Sequence, residues 1–133
     1  MKYFDIIKNH INWFDIVTGD NLPEDFIEKY SEELGWTHIC IYQKLSEKFI
    51  CKHQDKVDWG LISTYQELSE NFIRKFSDKV NWYNICRSQK LSEEFIEEFK
   101  NKVDWDIVYI YQNLSKDFIN KFKNYLNYGV CQM

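Results

Sequence analysis

The chain has 133 residues, 44% of them hydrophobic and 18% aromatic, which is enough apolar material for one domain with a buried core. A formal charge of −4 with 29% charged residues excludes the basic face of a general nucleic-acid binder, but leaves a basic protein surface as an admissible partner. No stretch approaches the roughly 18 apolar residues of a membrane span, and Asp5 and Asp15 interrupt what would be a signal peptide's apolar core.

Tryptophan recurs at Trp13, Trp36, Trp59, Trp82 and Trp105, each 23 residues after the last, with Tyr128 where a sixth would stand. The pair Phe-Ile keeps the same interval at Phe26, Phe49, Phe72, Phe95 and Phe118. Self-similarity at such a period marks a repeat architecture. The opening residues fit the second half of a repeat, since Tyr3 lies 23 before Phe26 and Ile7 lies 23 before Tyr30. The expected organisation of this single domain is a half-unit over 1–11, units over 12–34, 35–57, 58–80, 81–103 and 104–126, and a fragment over 127–133.

Each unit carries two helix starts. Asn12, Asp58, Asn81, Asp104 and Asn127 precede the aromatic position and suit an N-cap, whose side chain accepts from otherwise orphaned backbone N–H groups. Ser46, Ser69, Ser92 and Ser115 offer the same for a second helix, and Glu47, Glu70 and Glu93 suit the positive end of its dipole. The first helix shows Trp59, Ile62 and Tyr65 as its apolar stripe, and the second shows Phe72, Ile73 and Phe76, a helical rather than an alternating spacing. Helices this short do not persist alone in water. The predicted fold is therefore all-α, an α-solenoid of about five and a half helix-turn-helix repeats that bury one another's stripes.

Departures from the pattern occur in order along the chain. Pro23 stands where the others have serine, which a first helical turn tolerates. Gly35 replaces the Asn/Asp cap, His53 enters the Phe76/Phe99 column, and Arg87-Ser88 interrupt the column of Tyr42, Tyr65 and Tyr111, so the core is expected to loosen at these places. The C-terminal residues Cys131, Gln132 and Met133 fall inside a first helix, an open end suited to self-association.

Chemistry is sparsely represented. Cys40, Cys51, Cys86 and Cys131 show no C-x-x-C spacing, which suggests a reducing compartment, and Cys40 and Cys86 share one repeat position, as small buried residues would. His10, His38 and His53 lie at unrelated positions, so no zinc site is expected, and nothing resembles a phosphate-binding glycine loop. No catalytic set and no cofactor are expected. The tryptophans read as core filler, and Gln43, Gln66, Gln89 and Gln112 as side chains that tie the turn between helices to backbone.

Function then falls to the columns that change between repeats. Phe14, Ile41, Leu61, Tyr83, Arg87, Ile107 and Ile110 on the first helices form the candidate partner-binding surface. An alternative is the acidic patch Glu93, Glu94, Glu97 and Glu98, which would imitate nucleic-acid phosphates in a basic groove.

The units Val57-Asp58-Trp59…Tyr65-Gln66-Glu67-Leu68-Ser69-Glu70…Phe72-Ile73 and Val103-Asp104-Trp105…Tyr111-Gln112-Asn113-Leu114-Ser115…Phe118-Ile119 resemble the tandem "DW…Q-LSE-FI" repeats of giant DNA viruses of the mimivirus kind, some phages and low-GC bacteria. The resemblance implies a viral or phage-linked origin, in keeping with a lysine-rich, alanine-free composition suggestive of AT-rich coding. The expectation is a non-enzymatic protein–protein interaction module in the host cytoplasm that neutralises a host protein. The alternative is an acidic inhibitor of a defence nuclease of the anti-CRISPR sort.

Overall fold

The computed structural model describes residues 8–126. Residues 1–7 of the expected half-unit over 1–11, the Asn127 cap, Tyr128 and the open C-terminal end lie outside the described residues. All regular elements among the described residues are helical. In one compact unit, residues 1–58, these are α1 (Trp13–Thr18), α2 (Glu24–Lys29), α3 (Ser31–Leu34), α4 (Trp36–Tyr42) and α5 (Glu47–Lys52). In the other, residues 59–133, they are α6 (Trp59–Tyr65), α7 (Glu70–Lys75), α8 (Trp82–Ser88), α9 (Glu93–Glu98), α10 (Trp105–Tyr111) and α11 (Lys116–Lys121). Short 3-10 turns occupy Lys8–His10 and Lys123–Tyr125.

Helix pairs recur every 23 residues, as a helical-repeat solenoid requires. Within each unit, first helices pack on one another: α1 on α4 in one, α6 on α8 and α8 on α10 in the other. The core is two aliphatic columns beside an aromatic one. Ile39, Ile62, Ile85 and Val108 of the first helices are fully buried, as are Ile27, Ile50, Ile73 and Ile96 of the second. Burying such a side chain contributes about 1.5–3 kcal/mol. The indole of Trp59 lies 6.2 Å from the Phe72 ring and 5.0 Å from Phe76, and Trp82 and Trp105 repeat the arrangement on Phe95/Phe99 and Phe118/Phe122. Of the five tryptophans only Trp105 is buried; the others are half-buried, one ring face packed on phenylalanine or tyrosine.

A six-residue helix consists almost entirely of ends, so most of its backbone groups need partners from elsewhere. The caps read from sequence supply some. Asn12, Asn81 and Asp104 accept from Asp15, Asn84 and Ile107 N–H, and Ser46, Ser69, Ser92 and Ser115 accept from the N–H three residues on. Neighbouring repeats supply the rest. Gln89 Nε2 donates to Ser63 O (3.0 Å) and Gln66 O (2.6 Å), while its Oε1 accepts from Leu68 N–H (3.1 Å). Gln112 repeats this on Cys86 O, Gln89 O and Leu91 N–H, and Gln43 on Val17 O, Asp20 O and Leu22 N–H. The glutamines do tie a turn, but it is the turn of the preceding repeat.

The glutamates that open the second helices reach forward in the same manner. Glu70 accepts from both N–H and hydroxyl of Ser92 (2.6 and 3.0 Å), Glu93 from Ser115, and Glu24 from Ser46.

The column of Val17, Cys40, Ser63 and Cys86 is wholly buried. Ser63 Oγ accepts from Asn81 N–H at 3.0 Å, and the sulfurs of Cys40 and Cys86 accept from the backbone N–H of Asp58 and Asp104. Serine and cysteine interchange here because each provides a small acceptor for the cap residue's N–H. Val17 cannot accept, and the chain compensates: Gly35 N–H turns back to Ser31 O (2.9 Å), making α3 and setting Gly35 at φ +84°. That bond occupies the carbonyl whose counterparts, Ser77 O and Lys100 O, accept from the indoles of Trp82 and Trp105. Trp36 Nε1 is left buried without an acceptor.

Two expectations of a loosened core are corrected. Tyr42, Tyr65 and Tyr111 are about half exposed (48, 54 and 51%), so Ser88 in their column removes nothing from the core. Positions i and i+6 differ by about 240° around a helix, which takes Tyr65 off the stripe of Trp59 and Ile62. His53 keeps the aromatic contacts of its column, with its ring 4.5 Å from Phe49 and 5.2 Å from Trp36. Its Nε2 lies 3.1 Å from Glu28 Oε1.

Candidate interaction surface

The first helices bury their isoleucine side and turn another face outward. In the unit over 59–133 that face carries Tyr65, Tyr83, Ile110 and Tyr111, with Ile110 the most open at 62%. The guanidinium of Arg87 lies 5.6 Å over the Tyr111 ring, while Leu61 and Ile107 are half-buried at the margin. Asn84 ties this face internally by donating to Gly60 O at 3.1 Å. The structure thus collects Tyr83, Arg87 and Ile110 from the sequence-predicted set on adjacent helices α8 and α10, and adds Tyr65 and Tyr111. Sequence reading missed those two tyrosines by taking their column as core, although the six-residue offset from tryptophan already carried the signal.

In the unit over 1–58, Phe14 is 51% exposed and meets His38 and Tyr42 edge-on at 5.4 and 6.2 Å. Ile41 is half-buried.

The second helices carry grooves instead. One is lined by Glu93, Glu94 and Glu97 of α9 and by Ser115, Asp117, Phe118 and Lys121 of α11. Three of the four carboxylates in the sequence-predicted acidic patch are engaged. Glu93 holds Ser115, Glu97 pairs with Lys121 Nζ (3.0 Å), and Glu98 pairs with Arg74 Nε (2.9 Å). Glu94 is exposed and makes no such bond among the described residues. A second groove is lined by Pro23, Asp25, Phe26, Lys29 and Tyr30 on and just after α2.

Burial pushes both buried thiols up, Cys86 to about 11 and Cys40 in the same direction, so each stays protonated at neutral pH and is a poor nucleophile. Glu28 is held below the usual carboxylate range by its hydrogen bond from Lys52. No group of three histidine, cysteine or acidic side chains among the described residues is placed to hold a metal ion. No described helix is long and apolar enough to cross a membrane. Compared with family models, characterised proteins and solved structures, the chain matches none.

Proposed function

We propose that the protein is a non-enzymatic binding module whose first-helix face over 59–126 docks a host protein, acting as a viral or phage-linked factor in the host cytoplasm. The observation that supports this reading is the pairing of opposite behaviours on the same helices. Ile62, Ile85 and Val108 are fully buried, whereas Tyr65, Tyr83, Ile110 and Tyr111 stand open beside them, with an arginine over one ring. Tyrosine and arginine are enriched among the residues that dominate protein–protein affinity, because they offer large contact area with few torsions to freeze.

The test is capture from host lysate with the wild-type chain and with Tyr65→Ser/Tyr83→Ser/Tyr111→Ser, read by mass spectrometry beside helical content and melting temperature. A partner enriched by the wild type and lost by the variant, at unchanged melting, is the expected result. Retention of that partner by the variant overturns the reading. The acidic inhibitor of a defence nuclease has less support, since only Glu94 of its patch is uncommitted; it would require steeply salt-dependent binding that Glu94→Lys abolishes.

A further inference from the structure

We infer that the partner of the first-helix face is a peptide segment carrying a side-chain carboxylate beside an apolar residue. Arg87 bonds the carboxylate, and the apolar side chain sits over Ser88 between Tyr65 and Tyr111. This rests on the docking face proposed above and specifies the chemistry of what that face takes.

The chain has two arginines against fifteen lysines, and one of the two shows how such a contact is built. The guanidinium of Arg74 lies 5.3 Å over the Phe95 ring while its Nε donates to both carboxylate oxygens of Glu98, at 2.9 and 3.0 Å. An aromatic ring holds a guanidinium electrostatically by one side and leaves its fork of N–H groups for a carboxylate, a division of labour that lysine cannot copy. Arg87 has the first half of the same arrangement, with its guanidinium 5.6 Å over the Tyr111 ring. The helices that α8 packs on, α6 and α10, are described throughout, and among the described residues no carboxylate bonds Arg87. Stacking thus poses the fork, and a partner supplies the acid.

Charge selects one anion rather than many. The three helices carry a single other charge, the half-buried Asp106, and beyond their ends exposed Lys90 is matched by exposed Glu67. A phosphate chain would meet those two acids and a net charge of −4. One carboxylate in an apolar setting meets the cation it needs and tyrosine and isoleucine around it. Ser88 supplies the place for the apolar neighbour: it is exposed and holds the row position that Tyr65 holds on α6 and Tyr111 on α10. Because α8 packs on both helices, the short side chain leaves a recess between two tyrosines, one residue along from Arg87 and rimmed by Ile110. A side chain filling that recess excludes water beside the ion pair, which strengthens it.

The experiment is selection from a random displayed peptide library with the full wild-type chain as bait, followed by calorimetric titration of the best synthetic peptide. The selected sequences are expected to share an Asp or Glu adjacent to an apolar residue. Replacing that acid by its amide is expected to weaken binding at least about ten-fold, as loss of a hydrogen bond between charged groups does. Arg87→Gln should weaken the acidic peptide by the same factor and leave the amide peptide unaffected, so that the two losses do not add. Losses that multiply, or selected peptides without an acid, overturn the inference. If such peptides still lose binding in Tyr65→Ser/Tyr83→Ser/Tyr111→Ser, the docking face stands and only this account of its partner falls. A library that yields no sequence dependent on those tyrosines overturns both.

Discussion

Gln89 is the residue on which the most backbone converges. Its amide satisfies two carbonyls and one N–H of the preceding turn, all buried. Gln89→Leu keeps the volume and orphans all three groups, for an expected loss of about 3 kcal/mol or more, since each buried unpaired group costs on the order of 1–3 kcal/mol. Thermal unfolding monitored by circular dichroism checks this, with exposed Lys90→Ala as a control expected within about 0.5 kcal/mol of wild type. The buried thiols give a pH signature of definite sign. A thiol raised from an ordinary value near 9 to about 11 favours the folded state below the ordinary value, and that contribution is lost as pH rises through the folded one. Stability should therefore decline between about pH 9 and 11, and Cys40→Ser/Cys86→Ser should flatten the decline while keeping the acceptor that Ser63 already provides. Glu28 acts in the opposite range: with its value depressed by Lys52, its contribution is present above the ordinary carboxylate value and fades as pH falls through the depressed one.

At the scale of the element, the short helices depend on what borders them. Ser92→Ala removes an N-cap and one of the two bonds that hold Glu70, with an expected cost of about 1–2 kcal/mol in chemical denaturation. Gly35→Ala should cost about 1–3 kcal/mol for another reason: a Cβ there would meet His38 Nδ1 at an ordinary 3.4 Å, so the penalty is the φ of +84° itself. Much of this was legible beforehand. The caps at Asn12, Asn81 and Asp104 and at the four serines follow from residue type before an apolar stripe. The 23-residue interval places every helix pair from α1 to α11. What the sequence concealed was the reach of side chains into the next repeat. Periodicity shows that Gln89 recurs but not whose carbonyls it meets, because that depends on how one turn stacks over another. The extra turn α3 was hidden likewise, since it follows from Val17 lacking an acceptor some eighteen residues away.

For the whole molecule, a fold made of near-identical parts separates stability from recognition. The tyrosines stand outside the buried columns, so substitutions at Tyr65, Tyr83 and Tyr111 are expected to change binding and leave melting within about 0.5 kcal/mol of wild type. The candidate surface was only partly readable for the same reason. Tyr83, Arg87 and Ile110 vary between repeats and draw notice, while the recurrent tyrosine column was mistaken for packing because recurrence usually signals a core.

The glutamine contacts also give the chain a direction. Every observed clamp is thrown by a later repeat onto an earlier one, never in reverse. A nascent chain leaving the ribosome would thus finish each turn only when its successor emerges. Deleting α10 and α11 should leave the loop between α8 and α9 unlatched and quick to exchange its amide hydrogens, even though none of its own residues has been touched.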